Sequence, residues 1–74
     1  MKVKDLIIHC YKEELGIKIY DSDNEKLLIP NIWKTDYLLI NPITEKYRYE
    51  PFHKYDDIEI YGWEIENGEL FIYI

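Results

Sequence analysis

Between Tyr55 and Ile74 this chain has neither a lysine nor an arginine, yet it places six carboxylates there. That stretch alone matches the formal net charge of −6 carried by all 74 residues. Cysteine is almost missing as well. Cys10 by itself excludes an internal disulfide, and its apolar surroundings suggest a small buried hydrophobe. No apolar run approaches the roughly eighteen residues of a membrane-spanning helix, and no secretory leader stands out. Together these absences suggest a reducing, cytoplasmic setting without a membrane partner.

Chemistry-bearing motifs are equally scarce. There is no glycine-rich phosphate loop, no nucleophile elbow and no HExxH pattern. His9 and Cys10 are neighbours, so their side chains diverge on a helix or a strand. With His53 they fall short of the four ligands of a structural zinc site, so no metal or cofactor is expected. His53 among acidic neighbours is the single candidate for acid–base work, and the chain reads as a non-enzyme. The three glycines and three prolines are isolated, which leaves no linker, and residues 1–74 read as one domain. A domain this small buries only about 60% of its unfolded surface, so a homodimer is the ordinary remaining source of burial.

What is present is patterned. Val3, Leu6, Ile7 and Cys10 have helical spacing, which predicts a short helix from Val3 to about Tyr11 with Gly16 as its stop. The β-branched content of the same stretch also fits a buried strand. From Gly16 the signals are β. Ile17 and Ile19 alternate with Lys18 and Tyr20, Asp21 to Asn24 supplies turn chemistry, and Lys26 to Ile29 returns, closed by Pro30 and Asn31. Tyr37 to Ile40 is a short apolar run ending at an Asn41-Pro42 turn, and Glu45 to Glu50 alternates as a strand ended by Pro51.

The end of the chain carries the clearest local signal. Asn67-Gly68 is the favoured pair for a two-residue type I′ turn, where both residues need positive φ. The turn sets Glu66 opposite Glu69, Ile65 opposite Leu70, Glu64 opposite Phe71 and Trp63 opposite Ile72. A one-residue bulge at Gly62 then brings Ile58 and Ile60 to the side of Trp63, Ile65, Leu70, Ile72 and Ile74, the expected core face. Glu59, Tyr61, Glu64, Glu66, Glu69, Phe71 and Tyr73 share the opposite face. Carboxylates beside aromatic rings suit arginine and lysine, through charge-assisted hydrogen bonds and cation–π contact. These seven residues are the candidate partner-binding site, and the expected partner is a protein with a basic surface.

Two other patterns are better explained by structure. Lys46-Tyr47-Arg48-Tyr49 and Phe52-His53-Lys54-Tyr55 mix bases with aromatics as single-strand RNA readers do. Residues 31–54, however, hold four basic against three acidic side chains, a net charge of +1, and the whole chain is acidic. Direct nucleic-acid binding is therefore not expected. The loop Asp21-Ser22-Asp23-Asn24-Glu25 hints at calcium. Its sixth and twelfth places are Lys26 and Ile32, where an EF-hand loop has glycine and glutamate, so it reads as a turn.

The opening Met1-Lys2-Val3-Lys4-Asp5-Leu6-Ile7, the strand Ile17-Lys18-Ile19-Tyr20-Asp21 and the closing Trp63-Glu64-Ile65-Glu66-Asn67-Gly68-Glu69-Leu70 resemble the small acidic accessory proteins of bacteriophages and mobile elements in AT-rich bacteria. The resemblance covers both ends of the chain and is one of style, without a shared ligand or catalytic motif. It implies a phage-type inhibitor, in some members of the anti-CRISPR kind, acting in the host cytoplasm on a defence or nucleic-acid-binding protein.

The reading is then an α+β domain: a short N-terminal helix packed on an antiparallel meander of about four to six strands, ending in a C-terminal hairpin. An all-β small barrel is the alternative. The expected function is a non-enzymatic protein–protein interaction module. A self-associating structural protein and an RNA-binding module are the second and third readings.

Overall fold

The computed structural model describes residues 1–10, 12 and 14–74. A short helix opens the chain, α1 (Val3–His9), and turns Val3, Leu6 and Ile7 inward as their spacing requires. No side chain caps its N-terminus. The free N–H groups of Val3 and Lys4 instead donate to the carbonyls of Ile58 and Asp56, at 3.0 and 3.1 Å. The helix ends at His9, whose ring nitrogen Nδ1 lies 2.6 Å from the Asp5 carbonyl. Tyr11, at the expected helix end, lies outside the described residues.

Gly16 does not stop the helix. It opens β1 (Gly16–Asp21), where a Cβ would come within 2.9 Å of the Asn31 side chain. The Asp21 carboxylate accepts from the Asn24 amide side chain at 2.7 Å and from the backbone N–H of Asp23 at 3.1 Å, which closes the expected turn. The return strand β2 (Lys26–Trp33) continues through Pro30, beyond its anticipated end. Proline is tolerated because β2 is an edge strand, and its pairing with β1 is irregular on both sides of Ile29.

A four-residue helix, α2 (Lys34–Tyr37), follows, and then a loop that brings Ile40 opposite Tyr47. The strand expected from Glu45 to Glu50 does not form. Glu45 has a φ of 59°, which turns the chain, and Pro51 lies in a 3₁₀ segment, Glu50–Tyr55. The final hairpin is as anticipated. Strands β3 (Gly62–Glu66) and β4 (Glu69–Tyr73) pair in the expected register, with Asn67 and Gly68 at φ 52° and 75°.

The sheet has the order β2-β1-β4-β3. It is a small α+β fold with an open sheet, so the barrel alternative does not hold. Its two hairpins are antiparallel, but the sheet is mixed, because β1 and β4 lie side by side in parallel. That pairing sets Ile17 opposite Leu70 and Ile19 opposite Ile72, and all four side chains are fully buried. They form the centre of a core completed by Val3, Leu6, Ile7, Leu15, Ile29, Ile32 and Tyr37. Cys10 borders this core half-buried, as a free thiol.

Within β3 no bulge interrupts the pairing. At its start, however, Tyr61 and Gly62 both stand against Tyr73, whose carbonyl accepts the Tyr61 N–H at 2.7 Å, the two-against-one arrangement anticipated at Gly62. The β3–β4 ladder runs without a shift from Gly62 opposite Tyr73 to Glu66 opposite Glu69. Residues 58–60 leave β4 and pair with the N-terminus instead, through Lys2 opposite Glu59 and an Ile60 N–H to Met1 carbonyl bond of 3.0 Å. Ile60 and Ile74 pack against the core, but Ile58, Trp63 and Ile65, expected inside, stay 41, 51 and 40% exposed. Seven helical residues span only about 10 Å, too little for α1 to roof the outermost strand.

This arrangement predicts unequal costs for two isoleucines. Ile19→Ala should lower unfolding free energy by about 2–5 kcal/mol, whereas Ile43→Ala, at a position 90% exposed, should change it by less than about 0.5 kcal/mol. Urea denaturation of both variants checks this, and equal costs would place the core elsewhere.

Candidate functional site

The helices cover one side of the sheet, and the other side is open among the described residues. Alternation from the buried Ile17, Ile19, Leu70 and Ile72 puts Lys18 and Tyr20 of β1 and Glu69, Phe71 and Tyr73 of β4 on that open side. Glu64 and Glu66 of β3 join them, through their pairing with Phe71 and Glu69. Five of the seven predicted site residues thus share one face.

The other two lie ahead of the hairpin strands. Glu59 sits in the segment paired with the N-terminus, and its carboxylate accepts from the Met1 amino group at 2.8 Å. Tyr61 precedes β3 and is 74% exposed, while its N–H donates to the Tyr73 carbonyl at 2.7 Å. Both residues precede β3, so the strand alternation of the hairpin does not extend to them.

The open face is also less acidic than its sequence suggests. Lys18 stands beside Glu69 with an Nζ–Oε2 distance of 3.2 Å, and its ammonium lies 5.2 Å from the centre of the Phe71 ring. The Tyr73 hydroxyl donates to Glu64 at 2.5 Å, a bond that raises the phenol's pKa. Tyr73 also meets Tyr20 edge to face, with ring centres 6.1 Å apart. Lys18 and Tyr20 were not predicted here. They belong to the face only because β1 lies next to β4, a pairing of strands about fifty positions apart that local pattern does not reveal.

A second cluster forms where Tyr37, His53 and Asp56 interlock. The Tyr37 hydroxyl donates to the Asp56 carboxyl, His53 Nδ1 lies 2.8 Å from the other Asp56 oxygen, and His53 Nε2 lies 2.8 Å from the Tyr37 carbonyl. Tyr47 stacks on the imidazole with ring centres 3.6 Å apart, and Lys4 lies over Tyr47. The histidine and aspartate side chains are only 8 and 12% exposed. Burial raises the Asp56 carboxyl to about 6, and it lowers the His53 imidazole with help from the Lys4 charge. A protonated Asp56 carboxyl can donate to Nδ1 where the imidazole is neutral, which joins the two rings and the carboxyl into one network.

Both ring nitrogens of His53 are therefore engaged within the cluster. The arrangement serves packing, since it ties α2 to the 3₁₀ segment and both to α1. A His53-x-x-Asp56 spacing was its only trace in the sequence. No group of three or more histidine, cysteine or acidic side chains is placed to hold a metal ion among the described residues. No described helix is long and apolar enough to cross a membrane. No protein-family model, curated protein or solved structure matches the chain.

The network predicts a pH signature. A carboxyl whose folded pKa is raised stabilises the fold while protonated, and that contribution is lost as pH climbs from about 4 to about 6. The lowered His53 acts in the opposite sense, adding stability as pH climbs toward its ordinary value of 6.5. Asp56→Asn removes only the first contribution, because its amide still offers Nδ1 a donor. Thermal melts should show the variant gaining on the wild type as pH rises from 4 to 7. A variant that instead loses ground over that range would mean an imidazolium–carboxylate pair.

Proposed function

We propose that this chain is a non-enzymatic protein–protein interaction module that docks through the open face of its sheet onto a partner with a basic surface. The observation that carries the reading is the one-sidedness of the fold. Its helices gather on the core side and leave Glu64, Glu66, Glu69, Phe71 and Tyr73 together on the other. Lys18 adds chemical support, because an ammonium already sits there between a carboxylate and an aromatic ring. A partner's lysine or arginine meets the same two kinds of group beside Glu64 and Tyr73.

Within this reading the mechanism is occlusion. The rings supply contact area of the kind that dominates interface energetics, and the carboxylates steer and register the partner's cations. The resemblance to phage accessory proteins makes the proposed partner a host defence or nucleic-acid-binding protein, whose basic surface is blocked.

The test is affinity capture from host extract, followed by titration of the captured partner. Glu64→Arg with Tyr73→Ala should weaken that complex at least tenfold, about 1.4 kcal/mol, while melting like the wild type. The wild-type affinity should also fall with added salt. An affinity that ignores both the double substitution and the salt would remove the proposal.

A further inference from the structure

The two edges of the sheet are unlike. On β2, Pro30 lacks an N–H and the pairing is irregular, which blunts that edge against further strands. From Trp63 to Glu66 the β3 edge has neither proline nor bulge. A two-residue hairpin makes Glu66 and Glu69 a hydrogen-bonded pair, so Glu64 with Phe71 and Gly62 with Tyr73 are bonded pairs too. Trp63 and Ile65 therefore turn their N–H and C=O groups away from β4. Among the described residues no other segment bonds to them.

Beside this edge, on the core side, α1 and β3 enclose a groove of about 400 Å³. Leu6, Trp63, Ile65 and Met1 give it apolar walls, and His9, Cys10 and Lys12 complete its lining. On the opposite side of the same strand stand Glu64, which accepts from the Tyr73 hydroxyl, and Glu66. Among the described residues neither has a lysine partner of the kind that Glu69 has in Lys18. An open backbone edge, an apolar groove on one side and carboxylates on the other are the three elements of recognition by strand addition.

We propose that β3 binds an extended peptide whose residues alternate between apolar and basic, as an added fifth strand. Its backbone bonds to Trp63 and Ile65, its apolar side chains enter the groove beside Trp63, and its lysines or arginines lie against Glu64 and Glu66. The occupant is not a second copy of β3, because antiparallel self-pairing sets the glutamates of two molecules face to face. The proposal rests on the reading of the hairpin as a contact element and names the kind of segment that it takes.

The probe is a synthetic peptide of about eight residues, an ordinary strand length, alternating valine and lysine. Its control alternates valine and glutamate. The full-length protein should bind the first peptide at least tenfold more tightly, with slowed hydrogen exchange at the Trp63 and Ile65 amides. Ile65→Pro removes an outward N–H and costs no ladder bond, so it should abolish that binding. Glu64→Lys with Glu66→Lys should reverse the preference, which keeps the proposal open to test if the proline variant fails to fold. Phe71→Ala, on the open face away from the edge, should leave peptide affinity unchanged. No peptide binding, binding without protection of the two amides, or amides protected in a peptide-free dimer would each overturn the proposal. Binding lost with Phe71→Ala but kept with Ile65→Pro would also overturn it, while leaving the docking face of the previous section intact.

Discussion

The parallel pairing of β1 with β4 is the constraint on which the rest of this structure depends. It joins two hairpins from opposite ends of the chain into one sheet, and it stacks Ile17 on Leu70 and Ile19 on Ile72 at its centre. Each of these fully buried side chains contributes about 1.5–3 kcal/mol by leaving water. A slip of β1 by one residue would carry Lys18 and Tyr20 into the core. The same register that excludes water from one face thus decides which side chains meet on the other.

The second anchor is polar. The crossing from β2 to β3 has little regular structure of its own, and it is held to the core by Tyr37, His53 and Asp56. Lys34 assists from inside, donating to the Cys10 carbonyl between α1 and β1. A buried network of this kind fixes geometry because each member needs its partners. In a domain without a disulfide it plays the part that a covalent staple plays elsewhere.

Much of the fold was legible in the sequence wherever its determinants are local. The helix phase of Val3, Leu6 and Ile7, the turn after Asp21 and the whole C-terminal hairpin register follow from spacing and turn chemistry. Illegible were the features set by distant partners. Pro30 marks the end of a strand in a sequence read alone, but an edge position lets the strand run on to Trp33. Tyr47 and Tyr49 alternate with charged residues, yet Tyr47 is used to cover His53 and Tyr49 to face Phe52. Of the candidate site, the five hairpin residues were placed on one face, while Glu59 and Tyr61 lie ahead of β3, where the chain turns to pair with the N-terminus. The compensation of Glu69 by Lys18 was hidden for the same reason as the mixed sheet.

The irregular, proline-bearing flank of β2 has a consequence for concentration. Head-to-tail polymerisation of sheets needs two receptive flanks per molecule, one to give and one to take. Among the described residues only the β3 flank is unbroken, so the second flank that such growth requires is blunted by Pro30.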